Sequence, residues 1–337
     1  MGTRAHRPAW RSSPPAVSRR DLPRSPSLPD TVEVGRGCAL PVVHQSRSWT
    51  RGGGHLATCD EPLHFRVLGT FEVTRGNRRC TPTAPKQRAL LALLALHANE
   101  FVATSRIIDR LWSRSAPRSA IAALHGYVTA VRRVLTPGWT SATASHPVLA
   151  TRPSGYVLRL EPHQLDLIGF RSLARRGQAE IAAGDCSGAQ EALGAALGLW
   201  RGAPLADLRE TGVFDHDVAR LEKEHLELLR DRFDVMLCNG DGHLIVCDLE
   251  ELCTTYPLWE RFHEQLMLAL CQAGRRADAL TAYARAYRVL SSHAGIEPGP
   301  RLRAVHQVVL SGGDPFDLGH RHDRGFAGLR VAHAVSP

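Results

Sequence analysis

The sequence predicts a mainly α chain in two unlike parts, an α+β part of about a hundred residues followed by an all-α part. Three observations predict it. Between residues 61 and 160, short alternating apolar stretches bracket three helical patterns. From Asp166 onward the apolar spacing is helical throughout, broken by Gly, Asp and Pro signals. The charge changes sign between the parts: residues 61–160 hold 14 basic and 4 acidic side chains, net +10, and residues 161–313 hold 16 and 22, net −6.

Residues 1–60 contain "RSSPPAVSRRDLPRSPSLPD" and "RGGG" and show no apolar periodicity. Such a segment cannot bury enough surface to offset its ordering entropy, so it is read as a disordered N-terminal extension. In "LHFRVLGTFEVTRGNRRC" Leu63, Phe65 and Val67 alternate, then Phe71 and Val73, with turn signals at Gly69-Thr70 and Arg75-Gly76-Asn77. These are short antiparallel strands. "TAPKQRALLALLALHAN" starts a helix at Pro85 and offers a wide buried face through Leu90, Leu91 and Leu94. "ATSRIIDRLW" is a second helix, capped by Thr104 or Ser105, with Ile107, Ile108 and Leu111 inward. "APRSAIAALHGYVTAVRRVL" is a third, with Pro117 near its start. In "SHPVLATRPSGYVLRL", Val148 and Ala150, then Tyr156, Leu158 and Leu160, flank the turn residues Pro153-Ser154-Gly155. That is a hairpin. Strands, three helices and a hairpin, in that order, make residues 61–160 a winged helix with an additional N-terminal sheet.

Residues 161–313 read as successive helices, and an internal repeat organises them. Gly184, Ala189 and Ala196 recur at the same offsets as Gly274, Ala279 and Ala286; Leu193 and Tyr283 correspond as well. A glycine ends one helix, and small residues on the next let the pair pack closely. This is tetratricopeptide-like spacing. Residues 314–337 are expected to be a disordered tail.

The third helix carries the candidate site. At about 100° per residue, with Ile121 at 0°, the apolar Leu124, Val128, Val131 and Leu135 fall between about 280° and 340°. Arg132, His125, Arg118, Thr129, Ala122, Arg133 and Gly126 follow in that order from about 20° to about 140°. Arginine can pair bidentately with guanine, threonine can touch a base edge or a thymine methyl, and small residues let a helix sit deep in a major groove. Any amphipathic helix has a solvated face, so the pattern alone leaves both readings open. The basic block and the following hairpin favour groove insertion. Arg118, His125, Thr129, Arg132 and Arg133 are the helix candidates; Arg132, beside the apolar stripe, meets a phosphate or covers the core. Arg152 sits at the hairpin tip, where a wing reaches a minor groove. Lys86 and Arg88 open the first helix, whose N-terminus favours phosphates; for Arg88 a structural ion pair is the alternative.

Other classes find no support. The longest apolar run, Ala89–Leu96, is far too short to span a bilayer, and no signal-peptide core stands at the N-terminus. The eight cysteines form no C-x-x-C pair and read as reduced, mostly buried thiols of a cytoplasmic protein. Neither Lys86 nor Lys223, the two lysines, follows a phosphate-binding glycine loop, and H-E-x-x-H and G-x-S-x-G are absent. His243, Cys247 and Cys253 lie near one another, but buried thiols and a surface histidine explain them better than a metal. The chain is therefore expected to be no enzyme and to need no cofactor and no membrane. No receiver-like domain precedes the winged helix, so phosphorylation of such a domain is not expected to regulate it. The basic and acidic parts leave two functions: a sequence-specific DNA-binding activator, or a tetratricopeptide-type adaptor with a non-specific nucleic-acid-binding domain.

Together "FRVLGTFEV", "PKQRALLALLALHAN", "RIIDRLW", "ALHGYVTAVRRVL", "PSGYVLRL" and "GIEPGP" resemble the Streptomyces antibiotic regulatory protein family over about residues 62–312. The resemblance implies an OmpR-type winged helix joined to a bacterial transcriptional activation domain of tetratricopeptide type. It further implies activation of a secondary-metabolite gene cluster, binding to direct repeats in double-stranded DNA near the −35 element, and recruitment of RNA polymerase. A homodimer on DNA, at the nucleoid, goes with that reading.

Overall fold

The computed structural model describes residues 61–112, 116–138 and 146–318. The expected extension 1–60 lies outside them, as does the tail beyond residue 318. Strands β1 (Leu63–Arg66), β2 (Glu72–Arg75) and β3 (Arg78–Arg79) form an antiparallel meander, with Phe65 opposite Val73. The alternation seen in the sequence aims Phe65, Val67, Phe71 and Val73 into the core.

Helix α1 (Pro85–Leu96) has proline at its first turn and buries every residue from Ala89 to Leu96, so it is the central helix of this part. Helices α2 (Thr104–Trp112) and α3 (Ala120–Leu135) pack on it. Strand β4 (Val102–Ala103) joins the hairpin of β5 (Leu149–Arg152) and β6 (Gly155–Leu158) in the order β4-β6-β5. Gly155 is required there: a Cβ would stand 2.4 Å from the Val102 carbonyl oxygen and 2.5 Å from the Phe101 ring.

The helical part runs α4 (Asp166–Ala183), α5 (Cys186–Leu197), α6 (Asp215–Cys238), α7 (Val246–Thr255), α8 (Glu260–Gln272), α9 (Arg276–Ala294) and α10 (Pro300–Ser311). The repeat is visible in space. Gly184 (φ +79°) and Gly274 (φ +72°) turn the chain between α4 and α5 and between α8 and α9. Ala189, Ala196, Ala279 and Ala286 are each completely buried where the paired helices meet. The sequence places residues 314–337 in a disordered tail, but Pro315–Leu318 forms a 3-10 turn, because Phe316 packs against the core beneath α10.

Two apolar clusters fill the described residues. The second spans Leu226 to Val309. The first runs from Leu63 to Val235, so it passes straight through the junction at 160/161 and includes Phe170, Leu193, Leu205, Leu208 and Phe214 beside the winged-helix residues. Polar contacts reinforce that joint. The Asp166 carboxylate accepts the backbone N–H groups of Val67 (2.9 Å) and Leu68 (3.0 Å). Asp207 accepts the Phe71 N–H at 2.7 Å and pairs with Arg88 at 2.9 Å. Arg110 pairs with Asp217 and donates to the Val213 carbonyl at 2.8 Å. Of the cysteines described, Cys80 and Cys253 are buried, Cys186, Cys238 and Cys271 half-buried, and Cys247 exposed, a more open set than expected. Cys38 and Cys59 lie outside the described residues. Among the described residues no helix is long and apolar enough to cross a membrane.

Candidate nucleic-acid interface

Helix α3 presents Ala120, Leu124, Val128, Val131 and Leu135 to the core, a stripe centred at about 300° on the same angular scale. Two contacts fix its flanks. On one side Arg132, at about 20°, turns back onto the hairpin: its Nε and Nη2 donate to the Leu149 carbonyl at 3.1 and 2.8 Å, and Nη2 donates to Thr151 Oγ1 at 2.7 Å. On the other side Tyr127, at about 240°, stacks on Trp112 of α2, with ring centroids 5.9 Å apart and planes 14° from parallel. The outward direction is therefore near 120°, where Ala122, Gly126, Thr129 and Arg133 lie, all exposed. The Thr129 hydroxyl donates to the His125 carbonyl at 2.9 Å, and His125 is exposed beside it.

Burial holds the Arg132 guanidinium below its ordinary value, with Tyr156 acting in the opposite direction. Next to it His146 is buried, and burial lowers its pKa as well. Its Nδ1 accepts the N–H groups of Val148 (3.2 Å) and Leu149 (2.9 Å), which puts the imidazole proton on Nε2, 3.4 Å from the Arg132 carbonyl. Arg132 and His146 thus bind the hairpin to the last turns of α3.

The remaining candidates fall into three groups. Arg152 is exposed at the end of β5, beside a turn in which Ser154 takes φ +63°. Arg118 is exposed but precedes the helix: a turn closed by the Ala120 N–H on the Pro117 carbonyl (2.9 Å) delays the first helical residue to Ala120. Lys86 donates to the Leu111 carbonyl at the end of α2 and lies 5.7 Å from the centre of the Trp112 ring. It caps α2, and Arg88 makes the ion pair with Asp207.

Sequence reasoning missed Trp112, Tyr127 and His146. The first two stand on different helices, and only the packing of α2 against α3 brings them into a stack. Ile121, the origin of the angular scale, is 57% exposed, because the buried stripe centres about 60° away from it.

A winged helix whose third helix offers a basic face, fused to paired helices, defines a class of transcription regulator. Residues 78–158 match the family described as "Transcriptional regulatory protein, C terminal", and residues 165–310 match "Bacterial transcriptional activator domain". The regulatory protein DnrI of Streptomyces peucetius is 32% identical over 74% of this chain and 92% of its own length. The regulatory protein AfsR of Streptomyces griseus is 34% identical over 75% of this chain, which spans about a quarter of that longer relative. The solved structure of Mycobacterium tuberculosis EmbR in complex with a low affinity phosphopeptide superposes with a TM-score of 0.70 at 30% identity, covering 80% of this chain and 68% of EmbR. The chain belongs to the Streptomyces antibiotic regulatory protein family of transcriptional activators.

Proposed function

We propose that the chain binds double-stranded DNA by inserting the outward face of α3 into a major groove, with the hairpin as a wing on the adjacent minor groove. The observation that carries this is the orientation of α3. Arg132 on one flank and the Tyr127–Trp112 stack on the other leave Thr129, Arg133 and Gly126 facing out. The block of net charge +10 around them supplies sequence-independent attraction to phosphates. Arg133, Thr129, His125 and Arg118 serve as groove contacts and Arg152 as the wing contact. Arg132 positions the wing, and Lys86 supports the site by holding the end of α2 rather than by touching phosphate.

In this reading residues 61–160 bind DNA and residues 161–313 activate. The chain is a pathway-specific regulator of a secondary-metabolite cluster. It works in the cytoplasm, at the nucleoid, as a homodimer on direct repeats near the −35 element, and its acidic helical part contacts RNA polymerase. Membership of a family of activators and the acid-rich composition of α6 support that division of labour.

Footprinting on the promoters flanking its own gene at two salt concentrations tests the proposal. A protected pair of direct repeats that survives competitor DNA is the expected result. Diffuse protection that disappears with modest salt sinks it in favour of an adaptor that holds phosphates without reading sequence.

A further inference from the structure

We infer that Gly126 is a specificity-determining position: its missing side chain lets the backbone of α3 lie against base edges in the major groove. The inference rests on the DNA-binding reading above. Gly126 is an interior residue of a 16-residue helix. Glycine in such a place is less favourable than alanine, because it loses more backbone freedom on folding. At Gly155 the cost has an internal cause, the Val102 carbonyl and Phe101 ring. At Gly126 a built Cβ meets nothing within 4 Å, the backbone is helical, and the residue is exposed. Packing and conformation inside the chain give glycine no advantage there.

Its place on the helix supplies one. Gly126 lies at about 140°, close to the outward direction, one turn after Ala122 and two turns before Arg133. Thr129 stands beside it on the same face. A partner of B-form duplex approaches α3 along this direction. A side chain at the middle of the face would hold the helix axis away from the base pairs, and Arg133 and Thr129 would then reach phosphates rather than bases. Glycine is the residue that permits close approach of backbone to ligand.

Gly194 in α5 makes an internal control. A Cβ there also meets nothing within 4 Å, and the residue belongs to a helix remote from this face. Gly126→Ala, Gly126→Leu and Gly194→Ala are compared with the parent chain by thermal melting. Their affinity is measured on the footprinted duplex and on a scrambled duplex of the same length. Both alanine variants should melt at least as high as the parent, by about 2 °C where the full helix gain is realised. Gly126→Ala should lose about tenfold in affinity for the footprinted duplex, the size of one lost base contact, and Gly126→Leu more. Affinity for the scrambled duplex should stay unchanged, and Gly194→Ala should match the parent on both. Retention of site affinity within about twofold by Gly126→Ala overturns the inference, as does an equal loss on both duplexes. A parent chain without any site preference overturns the DNA-binding reading itself. A parent preference that survives Gly126→Ala removes only the role of Gly126.

Discussion

Arg132 donates two hydrogen bonds to the carbonyl oxygen of Leu149, at 2.8 and 3.1 Å, and so joins the candidate recognition helix to the hairpin that follows it. Its neighbour Arg133 is exposed and points away. The two arginines therefore answer differently to the same substitution. Arg132→Ala should lower stability by about 1–2 kcal/mol, because the Leu149 carbonyl loses a charged donor, and should weaken DNA binding through a loosened wing. Arg133→Ala should leave the melting temperature within a degree or so and reduce site preference. Melting curves and duplex titrations on both variants separate the roles; equal losses of stability would contradict the assignment.

The joint between the two parts predicts that the winged helix does not stand alone. A fragment of residues 61–160 loses Phe170, Leu193, Leu205 and Phe214 from its core and the carboxylates of Asp166 and Asp207 from its sheet. It should give weak near-ultraviolet circular dichroism and unfold without a sharp transition, whereas residues 61–318 unfold cooperatively. In the longer chain Asp166→Ala should cost about 2–4 kcal/mol, since it strands the Val67 and Leu68 N–H groups in a largely buried site. A fragment as cooperative as the longer chain would show the shared core to be dispensable.

His225 predicts an acid-side loss of stability. It stacks on Trp200 with centroids 4.3 Å apart, and burial pushes its pKa down to about 4 from 6.5. The folded chain then binds fewer protons than the unfolded chain between those values. Its contribution is complete above about pH 6.5 and is lost as pH falls toward 4, by roughly 2–3 kcal/mol at pH 4.5. His225→Phe keeps a ring against Trp200 and removes the proton. Urea unfolding at pH 7 and pH 4.5 should show a smaller difference for the variant than for the parent.

Lys86 predicts an effect on α2 rather than on ion release. Its ammonium is taken up by the Leu111 carbonyl and the Trp112 ring. Lys86→Met should lower stability by about 1 kcal/mol and leave the slope of log affinity against log salt unaltered. A slope reduced by about 1 would identify Lys86 as a direct phosphate contact.

Most of the architecture was legible because it rests on local periodicity. Leu124, Val128, Val131 and Leu135 announce the buried side of α3, and the glycine–alanine offsets announce the paired helices, with all four alanines buried. What escaped depends on partners distant in the chain. Strand β4 has two residues, too few to alternate, and exists because Val102 pairs with Tyr156. Asp166 looks like any helix-opening carboxylate, but its backbone partner Val67 is 99 residues away. The helical angle already sets Arg132 beside the apolar stripe and Arg133 on the polar face, but that Arg132 is held by the Leu149 carbonyl depends on the position of β5. The candidate face was legible as a face; which of its members are already occupied was not.

On the proposed binding to direct repeats, the continuous core across residues 160/161 has a consequence for the promoter. Two parts joined by packed side chains turn together, like a key and its bow. A protein of this build would then read not only which bases are present but on which side of the duplex they lie. Shifting the proposed repeats by about five base pairs, half a helical turn, would carry the helical part to the opposite side of the DNA, and ten would restore it. Spacing, counted in whole turns, would become part of the recognition sequence.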